Sequence, residues 1–217
     1  MEVYRTEEEQ VEAIKKWWRE NRLSVIGGII IGIAVLWGGR TWMAGQDAHA
    51  VAASNVYQMM MAKLSRGSLE EAAADGSALL GQFSDTPYAA LASLALAKIK
   101  LEQGDMAAAG SHLNWALSNT EQEEVKMVAR LRLAELLLAE GDTAGALAQL
   151  NAITTPDTFE AIYEQLKGDI YMADGKADLA RTAYVRALSV MDPTSPGRRL
   201  LQMKLDELGG SGEEGSS

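Results

Sequence analysis

The chain has 217 residues, a net charge of −10, two histidines and no cysteine, which excludes disulfides, thiolate metal sites and cysteine nucleophiles. Residues 1–42 hold six basic and six acidic side chains, so the acidic excess lies wholly in residues 43–217. Bulk attraction of that larger part to nucleic acid or to an anionic bilayer is thereby excluded.

In chain order, residues 7–22 predict a short helix with Val11, Ile14 and Trp18 at helical spacing and Lys15, Arg19 and Arg22 beside them. A basic amphipathic stretch of this kind suits a membrane surface. Next comes Leu23–Trp42. The seventeen residues between Arg22 and Arg40 carry no charge and show no polar face. Roughly 20 apolar residues span a hydrocarbon core of about 30 Å, with a terminal Arg snorkelling outward. Trp17, Trp18, Trp37 and Trp42 flank the stretch as interfacial aromatics do. It predicts a single transmembrane helix over 23–42. Arg5, Lys15, Lys16, Arg19 and Arg22 precede it, whereas after Arg40 the next basic residue is Lys63. The positive-inside rule keeps residues 1–22 in the cytoplasm and exports the rest. A cleaved signal peptide is the competing reading, since Ala48-His49-Ala50 has the form of a cleavage site. The partly acidic 22-residue leader, the long apolar region and the bulky Trp37 and Trp42 favour an uncleaved anchor. Within the anchor, Gly28 and Gly32 form a GxxxG, the spacing that lets two helix backbones approach in lipid.

After the anchor, alanine and leucine dominate and β-branched residues are sparse, which predicts an all-α domain over 43–208. Met43–Leu64 reads as a long amphipathic helix with a stripe of Val51, Val56, Met59, Met60 and Leu64. Arg66-Gly67-Ser68 breaks it, Ser68 is a candidate cap for a helix reaching Phe83, and Ser84–Pro87 marks the next turn. The chain then repeats around Gly104, Gly141 and Gly175, which are 37 and 34 residues apart. Seven before each glycine stands a small residue: Ala97, Ala134, Gly168. Three before stands Leu101, Leu138 or Met172. Five, nine and twelve after stand Ala109, Leu113 and Ala116, then Ala146, Leu150 and Ile153, then Ala180, Tyr184 and Ala187. Each unit is a helix, a glycine turn and a second helix, with small residues where the two cross. A period near 34 residues with this pattern is the tetratricopeptide signature. Its Trp and Pro landmarks are missing, so the repeats are divergent. Gly67 with Ala72 and Leu79 is the trace of an earlier unit. Arg198–Leu208 is expected to cap the stack, and 209–217 to be a flexible acidic tail.

No HExxH, phosphate loop or GxSxG is present, and Glu123-Glu124 sits at a helix start, where negative charge suits the helix dipole. No catalytic, cofactor-binding or metal-binding residue is expected. A surface remains. First helices of such pairs line the concave face, which in the register above places there Leu91, Leu94, Lys98, Leu101 and Glu102, then Val128, Leu131, Glu135 and Leu138, then Ile162, Gln165, Asp169 and Met172. A carboxylate clamp needs Lys, Asn and Arg at such positions, and Leu94, Leu131 and Gln165 do not supply them. The groove is instead suited to an apolar helix or an unfolded segment.

The sequence as a whole resembles the YfgM family, the ancillary subunit of the bacterial SecYEG translocon. The resemblance rests on Met1-Glu2-Val3-Tyr4, Gln10–Lys15, Gly39-Arg40-Thr41-Trp42, Tyr88–Leu94 and Gln202-Met203-Lys204. It implies a non-enzymatic inner-membrane protein with a periplasmic repeat domain. The implied partners are the SecYEG channel, the periplasmic chaperone PpiD and translocating polypeptides. It also implies a cytoplasmic role in restraining a stress-response regulator. A membrane-anchored tetratricopeptide scaffold for envelope assembly or cell division is the alternative function, and an enzyme acting on cell-wall glycan a third.

Overall fold

The computed structural model describes residues 7–210. The Met1–Tyr4 motif, the side chain of Trp42 and tail residues 211–217 lie outside the described residues. Every regular element among those described is helical: α1 (Glu7–Ser65), α2 (Leu69–Gln82), α3 (Pro87–Glu102), α4 (Met106–Ser118), α5 (Glu123–Ala139), α6 (Thr143–Asn151), α7 (Glu160–Ala173), α8 (Ala177–Val190) and α9 (Arg198–Gly210), with one 3₁₀ turn at Asp157–Phe159. α9 extends two residues into the segment expected to be tail.

The first helix corrects one expectation. The surface helix, the membrane helix and the helix leaving the membrane are one continuous element of 59 residues. Nothing in the sequence stops it. No proline lies between Glu7 and Ser65, and an isolated glycine costs only about 1 kcal/mol in a helix. A change from charged to apolar composition alters a helix's solvent, not its backbone. By contacts, the chain divides into a unit ending at Ala52 and a unit beginning at Ala53, ten residues later than the expected start of the domain.

In the first unit, the helical segment Gln10–Gly38 contains a window long and apolar enough to cross a membrane, and none of that window is buried. In the second unit, helices pack as consecutive pairs: the last turns of α1 with α2, then α3 with α4, α5 with α6, α7 with α8, and finally α9 against α8. The core is correspondingly a ribbon. One cluster joins Ala53, Met60, Ala72, Leu79, Leu96 and Ile99. Further along come Ala97, Leu113 and Leu133, then Leu131, Ala134, Leu150 and Ile170, and last Tyr184, Ala187, Leu201 and Leu208.

The glycine turns are built alike. Gly67, Gly104, Gly141 and Gly175 have φ of +77°, +79°, +84° and +72°, the left-handed region that glycine enters without a Cβ penalty. At each, the glycine N–H donates to the carbonyl three residues back: Leu64, Leu101, Leu138 and Met172. The following N–H donates to the carbonyl five residues back: Lys63, Lys100, Leu137 and Tyr171. This is the Schellman arrangement, which satisfies two orphan carbonyls at a helix end. The next helix is started by Asp105, which accepts from the Ala108 N–H at 2.9 Å, and by Asp142, which accepts from Gly145 at 2.8 Å. Ser68 stands at the corresponding place before α2 but makes no side-chain cap bond. α6 ends at Asn151, ahead of the Thr155-Pro156 step through which a helix could not continue.

Within each pair, one position on the first helix and one on the second divide a fixed space. The partners are Met60 and Gly76, Ala97 and Leu113, Ala134 and Leu150, Gly168 and Tyr184. A Cβ added at Gly76 would lie 2.9 Å from the end of Met60 and equally close to Leu96 of α3, and one at Gly168 would lie 2.3 Å from the Tyr184 ring. Ala97 with Leu113, and Ala134 with Leu150, are fully buried in shared clusters. The earliest unit is therefore a full repeat with the sizes reversed. Its apolar stripe differs from expectation too: Met60 is buried and Val56 and Leu64 pack on the core, but Val51 and Met59 are exposed, and Ala53 and Tyr57 take their place.

Overpacking a filled crossing costs about 1–3 kcal/mol. Gly168→Ala should destabilise the full-length protein by that amount. Combined with Tyr184→Leu, which recreates the Ala/Leu sizes of the two preceding units, it should cost at least about 1 kcal/mol less than the two single changes added together. Thermal unfolding of the four proteins in detergent measures this.

Candidate functional site

The expected groove residues divide into three groups in the structure. Leu131 is 4% exposed and belongs to the core with Ala134, Leu150 and Ile170, so it cannot line a groove. That corrects the register-based placement: α6 and α7 close over this side of α5. Leu94 and Leu138 are half-buried and lean on the neighbouring core clusters. Leu91, Val128 and Gln165 are likewise half-buried. Leu101, Ile162 and Met172 are exposed, at 40%, 49% and 41%.

The residues that do converge come from the second and third expected units. Glu135, Leu138 and Ala139 of α5, with Ile162, Gln165, Leu166 and Asp169 of α7, line an open depression of about 290 Å³. Its floor is apolar because α5 and α7 meet there directly. Its carboxylates are held in place: Glu135 pairs with Arg132 at 2.6 Å, and Asp169 accepts from Lys204 at 2.6 Å and from the Tyr184 hydroxyl at 2.7 Å. Lys98 lies in the earlier unit as an exposed side chain 3.8 Å from Glu102.

Asp169 is thus shared between the rim of the depression and the cap of the stack. Lys204 reaches it from α9, Arg198 donates to the Leu188 and Met191 carbonyls at 2.8 and 3.2 Å, and Arg181 donates to the Leu208 carbonyl. Burial, then the hydrogen bond to Asp169, pushes the Tyr184 phenol well above its ordinary value. By sequence Tyr184 is only a space-filler; its spacing from Asp169 gives no sign of the hydrogen bond between them.

Groups with chemical potential elsewhere are occupied structurally. The His112 carbonyl accepts from buried Ser93 at 2.8 Å, and burial, followed by Lys100, lowers the imidazole below its ordinary value. Glu123 pairs with Lys126 at 2.9 Å. Among the described residues no group of three or more His, Asp or Glu could hold a metal ion. In the anchor, a Cβ added at Gly28 or Gly32 would meet nothing within 4 Å, leaving a notch one turn long on an exposed face.

An apolar anchor followed by stacked, glycine-turned helix pairs defines a class, and the chain belongs to the tetratricopeptide repeat-like domain family, which it matches over residues 15–210. Within it, the chain is a member of the family of ancillary SecYEG translocon subunits. It is 31% identical over 208 residues to the protein of that name from Escherichia coli K12, covering 96% of this chain and 99% of the relative. The Haemophilus influenzae protein of the same name is 29% identical over 206 residues, covering 93% and 97%. The fold is also found in MamA from Desulfovibrio magneticus RS-1, with a TM-score of 0.56 at 17% identity, covering 76% of this chain and 97% of that one. A Podosopora anserina kinesin-light-chain repeat structure gives 0.58 at 17% identity, covering 77% and 89%.

The raised Tyr184 value fixes the sign of a pH effect. The neutral phenol is favoured in the folded state, so its contribution is complete below the ordinary tyrosine value of about 10 and is lost as pH rises through the folded value. Tyr184→Phe should cost about 1–2 kcal/mol near pH 7, the worth of a hydrogen bond to a carboxylate. The difference between the two proteins in chemical denaturation should shrink progressively above about pH 10.

Proposed function

We propose that the chain is a non-enzymatic, membrane-anchored adaptor at the SecYEG translocon, passing emerging polypeptides to periplasmic chaperones such as PpiD. The observation that carries this is the alignment with the Escherichia coli ancillary SecYEG translocon subunit over 96% of the chain, anchor and repeats together. The charge asymmetry around the anchor supports a cytoplasmic N-terminus and a periplasmic repeat domain in a bacterial inner membrane. The repeat surface supports an adaptor role: a depression between α5 and α7 lined by exposed Ile162, with Met172 exposed further along α7, of a kind that holds an apolar segment. Gly28 and Gly32 are the proposed contact with a partner's membrane helix.

Photo-crosslinkers at Leu138, Ile162 and Met172, in native membranes and at native expression, should capture a translocating chain or PpiD, while one at Leu131 should capture neither. No capture from the first three would remove the groove from the reading. Replacing Gly28 and Gly32 with Leu should weaken co-purification with SecYEG while the repeat domain stays folded. Co-purification with cell-division or cell-wall proteins instead would favour the scaffold alternative.

A further inference from the structure

The continuity of α1 through Arg22 and Leu23 has a consequence for the membrane boundary. Because the helix does not break there, Lys15, Arg19 and Arg22, spaced four and three residues apart, share one face immediately before the apolar span. Ile14 and Trp18 lie at its edge, and with Lys15 and Arg19 they line a concavity on the helix surface. All five side chains are exposed. Elsewhere the chain pairs its cations readily, as in Lys63 with Asp75, Lys126 with Glu123 and Lys204 with Asp169. Here no carboxylate of the described residues pairs with Lys15, Arg19 or Arg22, although Glu12 and Glu20 are on the same helix. Glu20 falls on the opposite side, and Glu12 is further from the span than any of the three cations.

At a rise of about 1.5 Å per residue, Arg22 sits at the edge of the span, Arg19 about 4.5 Å out and Lys15 about 10.5 Å out. The headgroup layer on each side of the hydrocarbon is about 5–8 Å deep. Arg22 and Arg19 are therefore inside that layer, and Lys15 reaches it by bending its stem back toward the bilayer. At the far end of the span Arg40 is the one cation, the next basic residue being Lys63. We propose that Lys15, Arg19 and Arg22, with Trp18, form a binding site for the phosphate headgroup of an anionic phospholipid in the leaflet on the N-terminal side. Guanidinium groups fork onto phosphate oxygens, and Trp18, about 6 Å out, lies at headgroup level, where interfacial tryptophans sit. The site depends on the anchor crossing a membrane but not on the translocon reading, so the two fail independently.

The test uses the full-length chain in detergent micelles, titrated with phosphatidylglycerol or phosphatidylcholine, with retained lipid counted by native mass spectrometry. Each cation near a charged headgroup contributes about fivefold in affinity, so Lys15→Gln/Arg19→Gln/Arg22→Gln should lower phosphatidylglycerol retention about 100-fold. Arg19→Lys/Arg22→Lys should retain most of it. Lys100→Gln/Lys167→Gln/Arg199→Gln, which removes equal charge from the repeat domain, should leave it unchanged. Circular dichroism confirms that each variant keeps its helix. Equal retention by the wild type and the first variant overturns the site, as does equal binding of the two lipids by the wild type. Loss of retention in the repeat-domain variant to the same extent also overturns it, since net charge alone would then account for the binding.

Discussion

The structure depends on one spatial constraint: where the two helices of a pair cross, there is room for one large side chain and one small one. Met60 over Gly76, Leu113 over Ala97, Leu150 over Ala134 and Tyr184 over Gly168 are four solutions to the same volume. Interiors are close-packed, so the sum is restricted more tightly than either member. That is why the large residue can move from the second helix to the first in the earliest pair without changing the architecture. The glycine turns serve the same constraint by reversing the chain each time with the same backbone geometry and hydrogen bonds.

The same constraint decides how much of the fold is legible in the sequence. The glycines at 104, 141 and 175 and the small residues around them repeat by identity, and those units are read directly. The unit at Gly67 repeats by volume instead: Met60 stands where a small residue is sought and Gly76 where a large one is, so only Ala72 and Leu79 mark it. Composition divides α1 into three because solvent changes along it, yet a helix ends at caps, glycine turns and prolines, none of which intervene. The groove is the least legible part. Sequence periodicity locates a face of a helix but not the neighbour that covers it. Leu131 and Leu138 are two turns apart on α5; one is sealed beneath α6 and α7 and the other borders the open depression.

The last layer follows a different rule from the rest. α9 buries Leu201 and Leu208 but leaves Leu200 and Met203 exposed, and its attachment relies on Lys204, Arg181 and Arg198 in hydrogen bonds that tie it to α7, α8 and the turn after α8. A terminal repeat has no successor to complete a large/small pair, and charged hydrogen bonds supply the missing specificity. Since Asp169 takes part in both the cap and the rim of the depression, the end of the stack and its most concave surface share a side chain.

The sharing of α1 between the anchor and the first repeat also orders the protein's assembly. A stack of this kind has mostly local contacts, and each pair packs only on its immediate neighbours. The first crossing, Met60 with Gly76, is closed by Leu96 of the next helix, α3, and one of its walls belongs to the same helix as the apolar span. During synthesis that wall is complete before any later helix exists. Folding can then proceed from the membrane-proximal end outward, one helix pair at a time, with no early unit waiting on a distant stretch of chain for its core.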